Sequence, residues 1–309
     1  MSTLKGVGIN ADAKIINGDL DKLEKILNYY SKSEFDYVEI PPHGAGVVLN
    51  GFLIDKRANA TKKILESFDL KYTIHIPDDI NLGEFRRQKV HYRAFKTCIE
   101  YASYIKADLM VYHSAVRMPY EEQHSLEEIK ELEAEQLREL ADYADKRGIK
   151  IAIENGFPDR REIATAKRHT YSSLLEELGE QVEKINKPNV GICLDVGHAY
   201  LSANFYGVDF IESIKGIAKY VIHFHIHDNF GVLPKTDKHY IQLHTMGEGD
   251  LHLPLGWGSI PYYEIFSTIT FNNSSVLIVE IEPRFYLESK ECLLSVKNNF
   301  VLLDKASIV

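Results

Sequence analysis

Eight short apolar runs, separated by longer amphipathic segments, constrain the fold of this chain most strongly. The runs are rich in Val, Ile and Tyr, which is typical of buried β-strands. They are Val7–Ile9, Tyr37–Ile40, Tyr72–Ile76, Leu109–His113, Ile149–Glu154, Val190–Asp195, Val221–His227 and Val276–Glu282. The segments between them have the apolar spacing of amphipathic helices, so strands and helices are predicted to alternate along the chain.

This alternation predicts a parallel sheet whose two faces are both covered, because parallel strands need helical crossovers. Eight strand–helix units in 309 residues fit a single-domain (β/α)8 barrel over residues 1–309 more economically than a doubly wound open sheet. The open sheet remains the alternative. The interval between the seventh and eighth runs is the longest, so we expect a long loop after the seventh strand.

Composition narrows the class of protein. The chain has 36 Lys and Arg against 45 Asp and Glu, a net charge of −9, which disfavours non-specific binding to nucleic acid. Its three cysteines have no CxxC spacing, which indicates a reducing compartment. No apolar stretch approaches the roughly 18 residues of a membrane helix. The first residues enter a predicted strand, which leaves no room for a secretory leader. We therefore expect a cytoplasmic enzyme that does not contact membranes.

Ionisable side chains follow every predicted strand from the third to the eighth. They are His75, His113, Glu154, Asp195, His198, His223, His225, His227, Asp228, Glu280 and Glu282, with Asp250 and His252 in the loop after the seventh strand. In a barrel these side chains converge at one mouth, where active sites form. Their burial and mutual repulsion would cost several kcal/mol unless a cation bound them. Mixed imidazole and carboxylate ligands favour Zn²⁺, Mn²⁺ or Fe²⁺ over Mg²⁺ and Ca²⁺.

Five motifs carry a resemblance to a known family. They are HIPDDINLG from His75, ENG from Glu154, CLDVGH from Cys193, HIHDN from His225 and DLHLPLGWGSI from Asp250. In these motifs the chain resembles the xylose-isomerase-like TIM barrels, a superfamily of sugar isomerases and epimerases that also contains endonuclease IV. The resemblance extends from about residue 7 to residue 282.

The resemblance to the epimerase branch implies a metal site and a mechanism. The implied ligands are Glu154, Asp195, His225 and Glu280, and the two glutamates would also be the catalytic acid and base. The implied reaction is isomerisation or epimerisation of a sugar, sugar phosphate or cyclitol through a metal-stabilised enediolate. One divalent metal is expected, Mn or Zn before Co or Fe.

The resemblance to endonuclease IV implies further ligands. The matching positions are His75, His113, His198, Asp250 and His252. These residues would either raise the number of bound metal ions to as many as three or bind the substrate. The choice of His225 over His227, of Glu280 over Glu282, and of the Asp250–His252 pair over Asp237 and His239 stays open. If Asp250 and His252 are the matching pair, residues near 230–249 form a loop insertion.

Three other functions compete with the isomerase or epimerase. An endonuclease IV-like zinc enzyme would cleave DNA at apurinic sites, but Asp78 and Asp79 stand where that enzyme has an aromatic and an apolar wedge, and two carboxylates repel phosphate. A dehydratase or lyase would use the same chemistry. A non-catalytic sugar-binding barrel is disfavoured because Glu154 and Glu280 are both present. We therefore expect a small carbohydrate as substrate and no nucleic-acid partner.

Weaker sequence signals mark four residues for substrate binding. Glu39 lies near the end of the second strand, at the same mouth, and His43 follows that strand. Trp257 lies between glycines beside the Asp250 motif, and Arg284 could pair with a phosphate or carboxylate. For each, an ordinary loop or surface role is the alternative. Related isomerases are often oligomers, so the resemblance also suggests a homo-oligomer. The charged run from residue 121 to residue 136 is predicted to be a solvated helix face.

Overall fold

Eight parallel strands close into a barrel in this computed structural model, in which residues 4–234, 240–271 and 275–306 are described. The strands are β1 (Leu4–Asn10), β2 (Tyr37–Ile40), β3 (Lys71–His75), β4 (Leu109–His113), β5 (Lys150–Glu154), β6 (Val190–Asp195), β7 (Val221–Ile226) and β8 (Ser275–Val279). Each strand pairs with its sequence neighbour, and β1 closes the ring against β8 with Val7 opposite Leu277. The predicted (β/α)8 barrel is therefore confirmed.

Helices surround the barrel and connect its strands. They are α1 (Ala13–Ile16), α2 (Leu20–Lys32), α3 (Asp55–Leu65), α4 (Gln88–Tyr104), α5 (Leu126–Asp145), α6 (Arg160–Thr165), α7 (Leu175–Ile185), α8 (Val196–Tyr206), α9 (Phe210–Ile217), α10 (Tyr240–Met246), α11 (Tyr262–Thr268) and α12 (Ser289–Ala306). A short hairpin, Val48–Leu49 with Phe52–Leu53, precedes α3. No helix in the described part of the chain is both long and apolar enough to cross a membrane.

The main hydrophobic core lies between the strands and the surrounding helices. Outward-facing strand residues such as Val38, Ile74 and Met110 pack there and are fully buried. Because successive side chains of a strand point to opposite faces, the alternate residues face the barrel axis. Val111, Ala152 and Cys193 form one apolar cluster of their own.

The eighth strand ends earlier than the apolar pattern predicts. The predicted eighth run extends to Glu282, whereas β8 ends at Val279. The chain stays bonded beyond this point, because the backbone N–H of Glu280 donates to Ile226 and that of Glu282 donates to His252. The predicted run is therefore longer than β8, because Glu282 at its end pairs with the long loop after β7 and not with β7 itself.

The prediction of a solvated face for residues 121–136 is wrong for Glu133. This side chain is fully buried and accepts hydrogen bonds from the hydroxyls of Tyr112 and Tyr171, the backbone N–H of Ala115 and the amide of Gln181. Four donors compensate the buried carboxylate, which explains how a charged residue occupies the inner face of α5.

Candidate metal centre

A cavity of about 740 Å³ opens at the carboxyl ends of the strands. Its walls combine carboxylates, imidazoles and small loop residues. They include Asn10, Asp12, Asn17, Glu39, His43, His75, Asp78, His113, Glu154, Phe157, His198, Asp250, His252, Glu280 and Glu282. The many carboxylates and imidazoles in its walls suit the cavity to a hydrated or polyhydroxylated molecule.

The four ligands implied by the epimerase resemblance meet at the floor of this cavity. One donor atom each from Glu154, Asp195, His225 and Glu280 lies within 4.8 Å of the others. Nδ1 of His225 is 3.2 Å from Oε1 of Glu154 and 3.1 Å from Oε2 of Glu280. We call this group the central cluster.

Local hydrogen bonds fix the central cluster. Asn155, directly after Glu154, accepts from the backbone N–H of Asp195 and donates to its carbonyl, which ties the end of β5 to the end of β6. The Asp195 side chain caps α8 by accepting from the backbone N–H of His198, 2.7 Å away. The ENG and CLDVGH motifs therefore hold two carboxylates in register.

A second group, the His75 cluster, contacts the other oxygen of Glu154. Nε2 of His75 and Nε2 of His113 lie 3.2 and 3.0 Å from Oε2 of that carboxylate. Asp78 stands at its outer side, 3.7 Å from Nδ1 of His75 and 3.9 Å from Nε2 of His113. Glu154 therefore bridges two groups of donors.

A third group, the Asp250 cluster, lies beside Asp195. It consists of His198, His227, Asp250 and His252, whose donor atoms lie within 4.8 Å of one another. Oδ2 of Asp250 is 3.2 Å from Nε2 of His198 and 2.8 Å from Nε2 of His252. Both His225 and His227 thus face the mouth, His225 in the central cluster and His227 in the Asp250 cluster.

The loop after β7 positions the Asp250 cluster. Asp228 accepts from the backbone N–H groups of Gly256 and Ile260, and its own backbone exchanges hydrogen bonds with Leu253. His252 adopts a φ of 44°, a left-handed backbone conformation that a non-glycine residue holds only when its surroundings impose it. The alternative pair, Asp237 and His239, lies outside the described residues, and so does part of the suggested insertion near 230–249.

Three histidines at the centre have their outer nitrogen fixed and their inner nitrogen aimed at a carboxylate. Nδ1 of His75, His198 and His252 faces the backbone carbonyls of Ile76, Asn155 and Glu280, at 2.9, 2.9 and 3.0 Å. This is the usual outer contact of a metal-binding histidine, since it fixes the tautomer and the ring.

Several buried polar atoms at the centre make no hydrogen bond within the described residues. They include Oδ2 of Asp195, Oδ1 of Asp250, both ring nitrogens of His227 and, deeper in the barrel, Nδ1 of His223. Each such atom costs about 1–3 kcal/mol unless something binds it. Together with the mixed nitrogen and oxygen donors, these atoms fit a divalent transition-metal ion.

Electrostatics at the centre follow from opposite charges in close contact. Although burial opposes ionisation, His113 and His225 hold the pKa of Glu154 well below its usual value. Burial also opposes protonation of the histidines, yet Glu154 raises the pKa of His75 and Asp250 raises that of His252, in both cases to about 10. Without a cation, the centre is therefore a network of imidazolium–carboxylate pairs.

The four residues suggested for substrate binding have different surroundings. His43 lines the cavity, and burial together with His75 lowers the pKa of its imidazole. Glu39 is buried at the inner end of the cavity and accepts from His225. Trp257 and Arg284 are not among the cavity's lining residues: both contact the ring of Phe285.

The sequence assigns no definite ligand role to three residues that the structure brings to the centre. It offers His227 only as the alternative to His225, contains His223 without a role and points to Asp78 through its charge alone. The signal for the histidines is the alternation at positions 223, 225 and 227, which places all three on one strand face. Asp78 has no such signal, since its position depends on the loop after β3.

The chain belongs to the xylose isomerase-like TIM barrel family, whose model matches residues 27–295. An uncharacterized protein of Methanocaldococcus jannaschii is 26% identical over 278 residues, which cover 88% of this chain and 84% of that protein.

Solved structures with the same fold include several sugar epimerases. A D-tagatose 3-epimerase-like protein superposes with a TM-score of 0.72 and 22% identity, over 98% of this chain and 99% of that one. A D-psicose 3-epimerase, solved in the presence of D-fructose, gives 0.70 and 16%, over 96% and 99%. The 3-keto-D-glucoside 4-epimerase of E. coli gives 0.65 and 15%, over 95% and 99%. These similarities are similarities of fold.

Proposed function

We propose that this protein is a divalent-metal-dependent isomerase or epimerase of a small carbohydrate. The observation that carries the proposal is the central cluster, in which Glu154, Asp195, His225 and Glu280 offer donor atoms within 4.8 Å of one another at the floor of a polar cavity. The fold similarity to epimerases of ketoses and a keto-glucoside supports the same substrate class.

The residues present suit proton transfer beside a carbonyl group. Glu154, Asp195, His225 and Glu280 would hold the cation, with Zn²⁺ or Mn²⁺ the best match to this donor set. When bound, such a cation supplies a Lewis acid for the carbonyl and hydroxyl oxygens of the substrate.

Two of these ligands, Glu154 and Glu280, would also move the proton. Glu154 and Glu280 are both kept ionised, because nearby histidines lower the pKa of each despite burial. We propose that one carboxylate takes the proton from the carbon next to the carbonyl and later releases it to solvent, and that the other, after taking up a proton from solvent, delivers it to the substrate. His43, whose pKa burial lowers, lines the same cavity as a neutral hydrogen-bonding group for substrate hydroxyls.

Exchange of substrate protons with solvent tests this proposal. The metal-free protein is reconstituted with Mn²⁺, Co²⁺ or Zn²⁺ and incubated in D₂O with a panel of ketoses, keto-sugars and their phosphates. Deuterium at the carbon next to the carbonyl, seen by NMR together with the epimer or isomer, supports the proposal. Metal-loaded protein that exchanges no proton in any member of the panel contradicts it.

A second candidate function has a specific observation in its favour. The His75 cluster and the Asp250 cluster flank the central cluster, so the centre offers donors for as many as three cations. Clustered cations suit hydrolysis of a phosphodiester, as in an endonuclease IV-like enzyme acting at abasic sites. Against it, the exposed carboxylate of Asp78 stands at the outer side of the centre, where it repels an approaching phosphate.

Metal stoichiometry and a DNA substrate separate the two candidates. Purification without chelators followed by plasma mass spectrometry gives the metal content per chain. One tightly bound ion with no cleavage of an abasic-site duplex favours the isomerase or epimerase. Two or three tightly bound zinc ions with cleavage of that duplex favour the endonuclease.

A further inference from the structure

A layer of polar side chains lies in the barrel interior, beneath the central cluster. Glu39, Thr73 and His223 form this layer, and each is at most 1% exposed. The strand register places Glu39 of β2 beside Thr73 of β3, and His223 of β7 beside Cys193 of β6. Such polar groups are costly inside a barrel unless they bond to one another.

Three donors converge on the carboxylate of Glu39. The Thr73 hydroxyl and Nε2 of His223 donate to Oε2, at 2.9 and 3.1 Å, and Nε2 of His225 donates to Oε1 at 2.9 Å. An ionised carboxylate only accepts hydrogen bonds, so Nε2 of His225 carries the proton. Its Nδ1 is then the nitrogen that faces Glu154 and Glu280.

This arrangement differs from that of the other histidines at the centre. His75, His198 and His252 have their outer nitrogen against a backbone carbonyl, whereas the outer nitrogen of His225 meets a carboxylate. A carboxylate partner holds the ring as a carbonyl does and also makes the inner nitrogen more basic, which strengthens metal binding.

We propose that Glu39, held by Thr73 and His223, is a positioning residue that acts through His225 and makes the central cluster the first of the three to bind metal. The proposal rests on the metal requirement of the proposed function. It replaces the substrate-binding role that the sequence suggested for Glu39, because both carboxylate oxygens are already bonded to protein donors.

An alternative use of the same residues is a separate metal site formed by Cys193, His223 and His225, whose donor atoms lie within 4.8 Å. The hydrogen bonds argue against it, since Nε2 of both histidines already donates to Glu39. None of these three residues lines the cavity, whereas Glu154 and Glu280 of the central cluster do, so an ion reaches the central cluster more directly.

The test is a metal-affinity measurement on metal-free protein, which needs no substrate. Zn²⁺ affinity is measured by competition with a chromophoric chelator for wild type, Glu39→Gln and Glu282→Gln. The last variant is a control that removes one carboxylate from the same cavity without touching His225. We expect Glu39→Gln to weaken binding of the first equivalent about 10- to 100-fold. We expect the affinity of Glu282→Gln for the first equivalent to stay within about threefold of the wild-type value.

Additional variants separate positioning from a structural role. Thr73→Val keeps the Glu39 carboxylate and removes one of its hydrogen-bond donors, so it should weaken binding of the first zinc equivalent, but less than Glu39→Gln does. His252→Ala should leave the affinity for the first equivalent unchanged and weaken binding of a later one. Equal first-equivalent affinity in wild type and Glu39→Gln, with a lower melting temperature for the metal-free variant, would show a purely structural role and overturn the inference. A wild-type chain that binds no zinc would overturn the proposed function as well.

Discussion

The Oε1 atom of Glu154 lies 3.2 Å from Nδ1 of His225, while the other oxygen of the same carboxylate faces the His75 cluster. One residue at the end of β5 thus connects two groups of donors. The third group joins through Asp195, whose Oδ1 is 3.2 Å from Nε2 of His227. The centre is therefore continuous across the barrel mouth, and a change in one cluster is expected to affect its neighbour.

Glu280→Gln separates metal binding from proton transfer. The amide keeps an oxygen donor for the cation but removes the base, so we expect most of the metal to be retained and turnover to fall by roughly 10²- to 10⁴-fold. Metal content and initial rate measure the two effects. The same rate loss in Glu282→Gln, with Glu280→Gln fully active, would show that the other glutamate is the catalytic one.

Metal affinity at the His75 cluster and the Asp250 cluster is expected to rise with pH. Nearby carboxylates overcome the effect of burial and raise the pKa of His75 and of His252 to about 10, so both rings carry a proton near neutral pH in metal-free protein. A cation bound at Nε2 must displace that proton. Chelator competition at pH 6 and pH 8 measures the change, and calorimetry in two buffers counts the protons released. An affinity independent of pH would contradict these protonation states.

The stability of the metal-free protein should have the opposite pH dependence. Because the folded pKa of both His75 and His252 lies above the unfolded value of about 6.5, their stabilising effect is complete below pH 6.5 and is lost as pH rises toward 10. The melting temperature of metal-free protein should therefore fall over this window. Saturating zinc should remove the fall, and a double His75→Gln, His252→Gln variant should show a flatter profile than wild type.

Gly197→Ala tests the packing of the Asp250 cluster. A Cβ at this position would lie 2.1 Å from Cε1 of His227, so that ring must move. We expect a loss of about 1–3 kcal/mol in stability and weaker metal binding at the Asp250 cluster. Gly216→Ala is a matched control, because the space around that helical glycine is open and alanine favours helix. An unchanged melting temperature in Gly197→Ala would contradict the packing.

The sequence predicts the barrel because parallel strands that are buried on both faces produce distinct apolar runs. Because these runs also locate the strand ends, the sequence predicts which ionisable residues at those ends are candidate ligands. Glu154, Asp195, His225 and Glu280 each stand at or directly after the last residues of a strand, so the fold alone brings them to one mouth.

Other features depend on contacts between distant segments. Glu39 and His223 are 184 positions apart, and their hydrogen bond exists because barrel closure brings β2 and β7 to face each other. In the sequence, Glu133 belongs to a charged run typical of a helix surface, and only the fold places Tyr112 and Tyr171 beside it. The position of His227 depends on the absence of a side chain at Gly197. No local pattern encodes these pairings.

Solvent-proton exchange in matched variants tests the central claim most directly. Metal-reconstituted wild type, Glu154→Gln and Glu280→Gln are incubated in D₂O with the ketose and keto-sugar panel and followed by NMR. We predict deuterium next to the carbonyl of at least one substrate with wild type, and a loss of that exchange in Glu280→Gln protein that still holds its metal. Metal-loaded wild type that exchanges none of the panel but cleaves an abasic-site duplex would contradict the proposed isomerase or epimerase function.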